Sequence, residues 1–398
     1  MSTDFIFVGA GPSGLTGAIC AARQGRRCLV IEKKPSLALH PRGETLRFRP
    51  ILDEILGDGV LDSLSLSRTT LIEYFAPVPD KASRISFNMH SANIAFHWNG
   101  FMQAFQKQVD SLNIDLMMNT EVIDTVKDGD RVAGVVFRDA DGKETSITAD
   151  VVFASDGHNS IIGRKAGVDY QSMTNPIIKG LYHQATFDTP GYKFFIIPAG
   201  SLDFAPAFPP AIAFLFPRDN RNCEAGVCVM AGSARKLGYA IPSPEALLRV
   251  WELLAEQYPV FSDILKDATP EVVEPTLIPA TAPLKDFIPQ AGVVLLGDTA
   301  SFIEISGFCG LVSSMECAKY WVNMIIEAQK RSEKPEDIWH EQTMRKMNEA
   351  FRMAPVYRYI KTNADRYMAM FETLFVEMRT SEEIIKNWEI VREALDVY

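Results

Sequence analysis

The stretch DFIFVGAGPSGLTGAICAARQGRRCLVIE, residues 4 to 32, decides how this chain begins to fold. Asp4 to Val8 reads as a buried strand, Pro12 to Gln24 as a helix opened by a glycine turn, and Arg27 to Glu32 as a second buried strand. Between the first strand and the helix, Gly9, Gly11, Pro12, Ser13 and Gly14 spell a G-x-G-x-x-G turn. Its glycines permit the tight bend and let backbone N–H groups and the helix N-terminus approach a pyrophosphate. Glu32, 18 residues past Gly14, offers a carboxylate to both hydroxyls of a ribose. Strand, turn, helix and acid in this order imply a bound dinucleotide. Lys33 adjoins the acid and is counted with the cofactor set; the alternative makes Lys33 and Lys34 surface charges.

The rest of the composition narrows what such a unit serves. At 398 residues the chain exceeds one ordinary hydrophobic core, so two packed lobes are expected. With 47% hydrophobic and 23% charged residues it is globular in type. A net charge of -10 argues against a nucleic-acid partner, which needs a basic face to displace counterions from phosphates. Six cysteines show no CxxC spacing, so reduced thiols and a cytoplasmic location are expected. Residues 1 to 11 run straight into the strand with no signal-peptide pattern. The longest apolar stretch, Ala291 to Val312, is interrupted by Asp298 and Glu304 and cannot be a lipid-exposed span. Peripheral membrane contact and the oligomeric state stay open. His183, His158 and His90 stand alone, without metal-ligand spacing, and no metal site is expected.

Further along, Pro50 to Leu64 has helical spacing, strand-like segments run through Phe87, and Phe101 to Ser111 returns to helix. Asp115 to Val122, Arg131 to Arg138 and Thr145 to Phe153 alternate as a meander leading back to the first sheet. Pro176 to Met230 is rich in aromatics and prolines and reads as the second lobe. Pro244 to Gln257 is an amphipathic helix, Val293 to Leu296 a short buried strand, and Leu311 to Ala328 a long helix. From Pro335 to Tyr398 the chain reads as almost wholly helical.

Three later segments carry a family resemblance. Asp156 and Gly157, followed by Ser160 and Arg164, look like a DGxxSxxR segment placed after a strand, and Gly297-Asp298 after Val294-Leu-Leu looks like a GD motif. Pro41-Arg42-Gly43-Glu44-Thr45-Leu46 resembles an RGExL segment. Together with the glycine turn these resemble the FAD-dependent geranylgeranyl reductase (FixC-like) and aromatic hydroxylase superfamily, over about the first 330 residues. The fold implied is α/β: a glutathione-reductase-type FAD-binding Rossmann lobe, an interleaved mixed β-sheet substrate lobe and a helical C-terminal tail. The expected division gives the FAD lobe residues 1–75, 101–175 and 286–330, the substrate lobe 76–100 and 176–285, and the tail 331–398.

The resemblance also implies roles. FAD is held non-covalently, and NAD(P)H, if used, visits the flavin transiently, because no second Rossmann unit is visible. Asp298 binds the ribityl chain, and the helix after it points its N-terminus at the isoalloxazine, favouring the reduced anion. Gly307, Phe308, Cys309, Gly310 and Leu311 supply backbone N–H groups to the ring's pyrimidine edge. Arg42 and Gly43 lie along the FAD, and Val122 joins the cofactor set. Archaeal reductases often place a cysteine where this chain has Arg42, and the arginine many hydroxylases carry is replaced here by His97-Trp98, leaving Gln103 or Gln106 as candidate polar contacts.

Phe214, Phe216 and Pro217, with Gly226 to follow, resemble the end of the reductases' YxWxFP…G motif and imply an apolar wall for a small apolar or amphiphilic substrate. Catalytic candidates are Arg42, His183 and Cys309; the alternatives are a surface arginine, a structural histidine and a small packed thiol. The expected activity is oxidoreduction, reductase-like on a C=C bond. Its alternative is an NAD(P)H-dependent monooxygenase that transfers oxygen from a flavin C4a-hydroperoxide.

Overall fold

The computed structural model describes residues 2–38, 42–76, 84–279, 281–305, 309–378 and 380–395. Fifteen strands among them run in chain order. These are β1 Ser2–Val8, β2 Cys28–Ile31, β3 Thr45–Arg47, β4 Ser65–Phe75, β5 Arg84–Phe96, β6 Asp115–Met117, β7 Glu121–Asp128, β8 Arg131–Arg138, β9 Glu144–Ala154, β10 Thr174–His183, β11 Tyr192–Ile197, β12 Ala211–Pro217, β13 Cys223–Val229, β14 Thr269–Pro279 and β15 Val293–Leu295. They form a seven-stranded sheet ordered β6-β2-β1-β9-β8-β7, with β15 also on β9, and an eight-stranded sheet ordered β14-β10-β13-β12-β11-β4-β5-β3.

In the first sheet β6, β2, β1, β9 and β15 are parallel, and β7, β8 and β9 form an antiparallel meander. The long strand β9 joins the two parts. Its N-terminal residues 144–148 pair with β8, while 152–154 pair with β15. Parallel strands covered on both faces need apolar side chains throughout, and Phe5 to Val8, Cys28 to Ile31, Val151 to Ala154 and Val293 to Leu295 are all buried. Helix Pro12–Ala22 lies over this sheet beside Leu311–Arg331, and its Gly17 has room for no Cβ, because one would press into the Phe7 ring.

The second sheet is antiparallel except where β11 runs parallel to β4. Its two faces bury different clusters: one holds Tyr74, Tyr192, Phe194, Phe214 and Phe216, the other Phe75, Phe195, Trp251 and Phe261. The Pro355–Glu372 helix covers the first cluster with Tyr367, Met370 and Phe371, so the tail is part of this lobe's core.

Most expected elements are found near their expected bounds, with three differences. Asp115 to Val122 is not one segment of the meander: Asp115–Met117 is β6, parallel to β2, and the meander begins with β7 at Glu121. Pro50 to Leu64 is two helices, Ile51–Leu56 and Val60–Leu64, because Gly57 and Gly59 adopt positive φ between them. The expected boundary at residue 75 also fails to match the sheets, since β3 and β4 already belong to the eight-stranded one. No helix among the described residues is long and apolar enough to cross a membrane.

Candidate functional site

Strand register brings the sequence motifs to one edge. Val8 pairs with Ile31 and with Ala154, and Ala154 pairs with Leu295. Each residue ends a parallel strand, so Gly9, Glu32, Asp156 and Gly297-Asp298 follow side by side at the carboxyl ends, where open α/β sheets bind ligands.

Tight packing fixes this edge. Gly9 has φ +97°, and a Cβ there would run into the Ser155 carbonyl; one on Gly14 would collide with the Gly9 carbonyl. Ser155 Oγ donates to Val8 O at 2.8 Å, and Gly297 sits against Ser13 and Ser314, at the starts of two helices. Neither the Pro12–Ala22 nor the Leu311–Arg331 helix has a side-chain N-cap. Both therefore turn unsatisfied backbone N–H groups and positive dipole ends toward the same edge.

Three acids at this edge differ in their surroundings. Glu32 accepts from the backbone N–H groups of Ala10 at 2.8 Å and Lys34 at 2.9 Å. Asp156 accepts from Ile161 N at 2.8 Å through Oδ2 while its buried Oδ1 has no partner, and burial raises its pKa. Asp298 is pushed up to about 6 by burial, against the pull of Arg42 and Lys179 and with the push of Glu44.

Around Asp298 stands a charged group in which Arg42 and Glu44 belong to the RGExL segment, while Lys179 and Glu224 were missed by sequence reading. Arg42 pairs with Glu44 and lies 5.0 Å from the Trp98 ring. Lys179 bridges Glu44 at 3.5 Å and Glu224 at 3.0 Å. The available signal was a single charge inside each apolar strand, Lys179 in TNPIIKGLYH and Glu224 in CEAGVCV. Gln106 is engaged with Asp110 at 2.7 Å, so it does not replace the missing hydroxylase arginine. Gln103 lies on the exposed face of its helix.

Between the eight-stranded sheet and the start of the Leu311–Arg331 helix lies a narrow cavity of about 20 Å³. Leu46, Ile72, Phe194, Phe216 and Val312 give it apolar walls; Arg47, Arg49, Asn93 and Glu304 give it a polar side. Glu304 pairs with Arg47 and, at 3.3 Å, with Arg49, which also reaches Glu316 at 2.6 Å. Cys309 reaches the cavity, where its thiol donates to Thr45 O at 3.1 Å and burial pushes it up to about 12. A thiol so protonated favours the packed reading over the redox one.

Of the other expected residues, Phe214 packs on Phe216 at 5.0 Å without lining the cavity, and Pro217 O accepts from Ser67. Val122 is buried in β7. His183 sits half-exposed at the end of β10, bonded to Asn222 at 2.9 Å and Glu271 at 3.1 Å, away from the cavity wall. Gly307 and Phe308 lie outside the described residues. Glu304 and Cys309, which flank them, exchange two backbone hydrogen bonds.

The FAD binding domain family profile matches residues 2–238 of this chain, taking in the glycine turn, Glu32 and the Asp156 segment. The chain belongs to that family. A digeranylgeranylglycerophospholipid reductase of Methanopyrus kandleri is 24% identical over 332 residues, 82% of this chain and 81% of its own length. A 3-(3-hydroxy-phenyl)propionate/3-hydroxycinnamic acid hydroxylase of Comamonas testosteroni is 24% identical over 181 residues, 44% of this chain and only 30% of the hydroxylase. In fold, the chain superposes on a geranylgeranyl bacteriochlorophyll reductase-like protein from Thermoplasma acidophilum with a TM-score of 0.72 at 18% identity, covering 100% and 99% of the two chains.

FAD is thus the cofactor of this FAD-binding-domain protein, and its residues fit the group. The orphaned Asp156 Oδ1, the two uncapped helix starts and the half-buried Asp298 carboxyl at the same edge all suit a polar ligand. A pH dependence follows if a flavin hydroxyl donates to Asp298. Such a donor favours the carboxylate, so FAD affinity should be flat above about pH 6 and fall below it. In the apoprotein the sign reverses: the raised pKa favours the protonated carboxyl, a contribution to stability present at low pH and lost as pH rises through about 6. Fluorescence titration of apoprotein with FAD from about pH 5 to about pH 8 tests the affinity profile. An Asp298→Asn variant should flatten it.

Proposed function

We propose that this FAD-dependent oxidoreductase reduces a C=C bond in a small apolar or amphiphilic substrate, isoprenoid-like in shape. The observation that carries the reading is the cavity walled by Leu46, Ile72, Phe194, Phe216 and Val312, which Cys309 of the expected flavin-binding set also lines. Its apolar side suits hydrocarbon. The breadth of the reductase match, 82% of the chain against 44% for the hydroxylase, supports the same choice.

In this reading Gly9, Gly11, Pro12, Ser13 and Gly14 hold the pyrophosphate, Glu32 the ribose and Asp298 the ribityl chain. Lys33, Arg42, Gly43, Val122, Asp156, Gly157, Gly297, Gly307, Phe308, Cys309, Gly310 and Leu311 complete the contacts. When bound and reduced by an external donor, FAD would supply the hydride. The chain orients the substrate against it with Phe194 and Phe216, and the uncapped Leu311–Arg331 helix favours negative charge at its start. NAD(P)H visits transiently. We place the protein in the cytoplasm, where its free cysteines would stay reduced.

A second reading, flavin monooxygenase, has the hydroxylase match in its favour. Anaerobic stopped-flow reduction followed by mixing with air-saturated buffer separates the two. The reductase reading expects flavin oxidation driven by an enoyl or prenyl substrate under anaerobic conditions. Fast NAD(P)H-dependent reduction followed by oxygen-dependent hydroxylation of an aromatic ring would replace it with the monooxygenase reading.

A further inference from the structure

Tyr192 opens β11, where alternation sends Tyr192, Phe194 and Ile196 into the cluster on the cavity side, and Phe195 and Ile197 into the opposite one. The Tyr192 ring is held by pairing of its backbone with Ile72 and by stacking on Phe216 at 4.6 Å and 24°. The residue is 3% exposed and lines the cavity. Its hydroxyl is buried and has no partner at hydrogen-bond distance, although Thr45 lies close enough to act on it. Buried tyrosine hydroxyls ordinarily find a partner, because an unmet one is costly. Burial raises the phenol's pKa, so it presents an O–H donor at any physiological pH.

Charge decides what the donor meets. The cavity's guanidinium groups, Arg47 and Arg49, are matched by Glu304 and Glu316, and Arg218, the nearest cation to act on the Tyr192 hydroxyl, is buried outside the cavity wall with its guanidinium donating to Glu44 O and Phe96 O. With the two cations that line the cavity already paired, a charged head group would be desolvated there without a counter-charge of its own.

We propose that Tyr192 Oη donates a hydrogen bond to a neutral oxygen of the substrate, a carbonyl or hydroxyl, while an apolar body lies along Ile72, Phe194, Phe216 and Val312. The proposal rests on the cavity being the substrate site, and it adds the substrate's polar end and the residue that reads it.

The test measures calorimetric dissociation constants on the flavin-loaded protein with matched probes: farnesal against farnesene, 2-naphthaldehyde against naphthalene, and farnesoate as the charged analogue. In the wild type, one or both carbonyl probes should bind about tenfold more tightly than the hydrocarbon, and Tyr192→Phe should erase that preference. The variant should keep its flavin spectrum and an unfolding midpoint at or above the wild type's. A preference that survives in Tyr192→Phe, absence of any preference in the wild type, or farnesoate binding more tightly than farnesal overturns the proposal. If only the naphthalene pair shows the Tyr192-dependent preference, the proposal stands and the isoprenoid reading of the substrate falls.

Discussion

Replacing Asp298 by alanine should yield a folded protein that purifies without its yellow colour. The carboxyl follows β15 at the shared strand edge, and no hydrogen bond to it is found among the described residues beyond the electrostatic pull of Arg42 and Lys179. Deleting a charge-assisted partner of the flavin costs about 1.5 to 3 kcal/mol, which is a loss of roughly ten- to hundredfold in FAD affinity. Removing a carboxyl that burial already disfavours should leave the apoprotein no less stable at neutral pH. Flavin content and fluorescence titration read the effect directly. Wild-type occupancy in Asp298→Ala would remove Asp298 from the cofactor site.

The second large effect belongs to Glu304. Its side chain is 8% exposed and faces Arg47 and Arg49, whose own side chains are 12% and 21% exposed. Glu304→Gln keeps the shape and removes the charge, so Arg47 loses the carboxylate it pairs with while Arg49 keeps Glu316. Breaking a buried pair in this way costs about 3 to 5 kcal/mol, and the lower end applies because Arg49 retains Glu316 at 2.6 Å. Urea unfolding should show the loss as a lower midpoint with an unchanged slope. A change below about 1 kcal/mol, the range of exposed pairs, would mean that water reaches this cluster freely. Pairing the substitution with Arg47→Met should recover part of the loss, because the charge that Glu304 balanced leaves with it.

The parts of the site legible in the sequence are those whose chemistry is local. A glycine turn between strand and helix, an acid ending the next strand, and a Gly-Asp pair after a short apolar run each satisfy a backbone requirement within a few residues. They could be located before the strands that align them were known. Tyr192, Arg47, Glu304, Lys179 and Glu224 were not legible, because their roles come from pairings between distant residues. Arg47 and Glu304 lie 257 positions apart, and Lys179 meets Glu44 across 135. Phe214 and Phe216 show the intermediate case. Alternation put both on one face of β12, yet only Phe216 reaches the cavity, since that depends on what the facing elements leave open.

The split pairing of β9 reaches beyond geometry to how the protein is made. Its second half waits for β15, so the fifth parallel strand of the cofactor sheet and Asp298 behind it come from residues 293–298, three quarters of the way along the chain. A ribosome delivering about 5 to 20 residues each second exposes the glycine turn tens of seconds before that strand exists. During synthesis the nascent chain therefore carries half a nucleotide site with an open strand edge. Such an edge invites mispairing, and flavin can close the site only once this late segment has emerged.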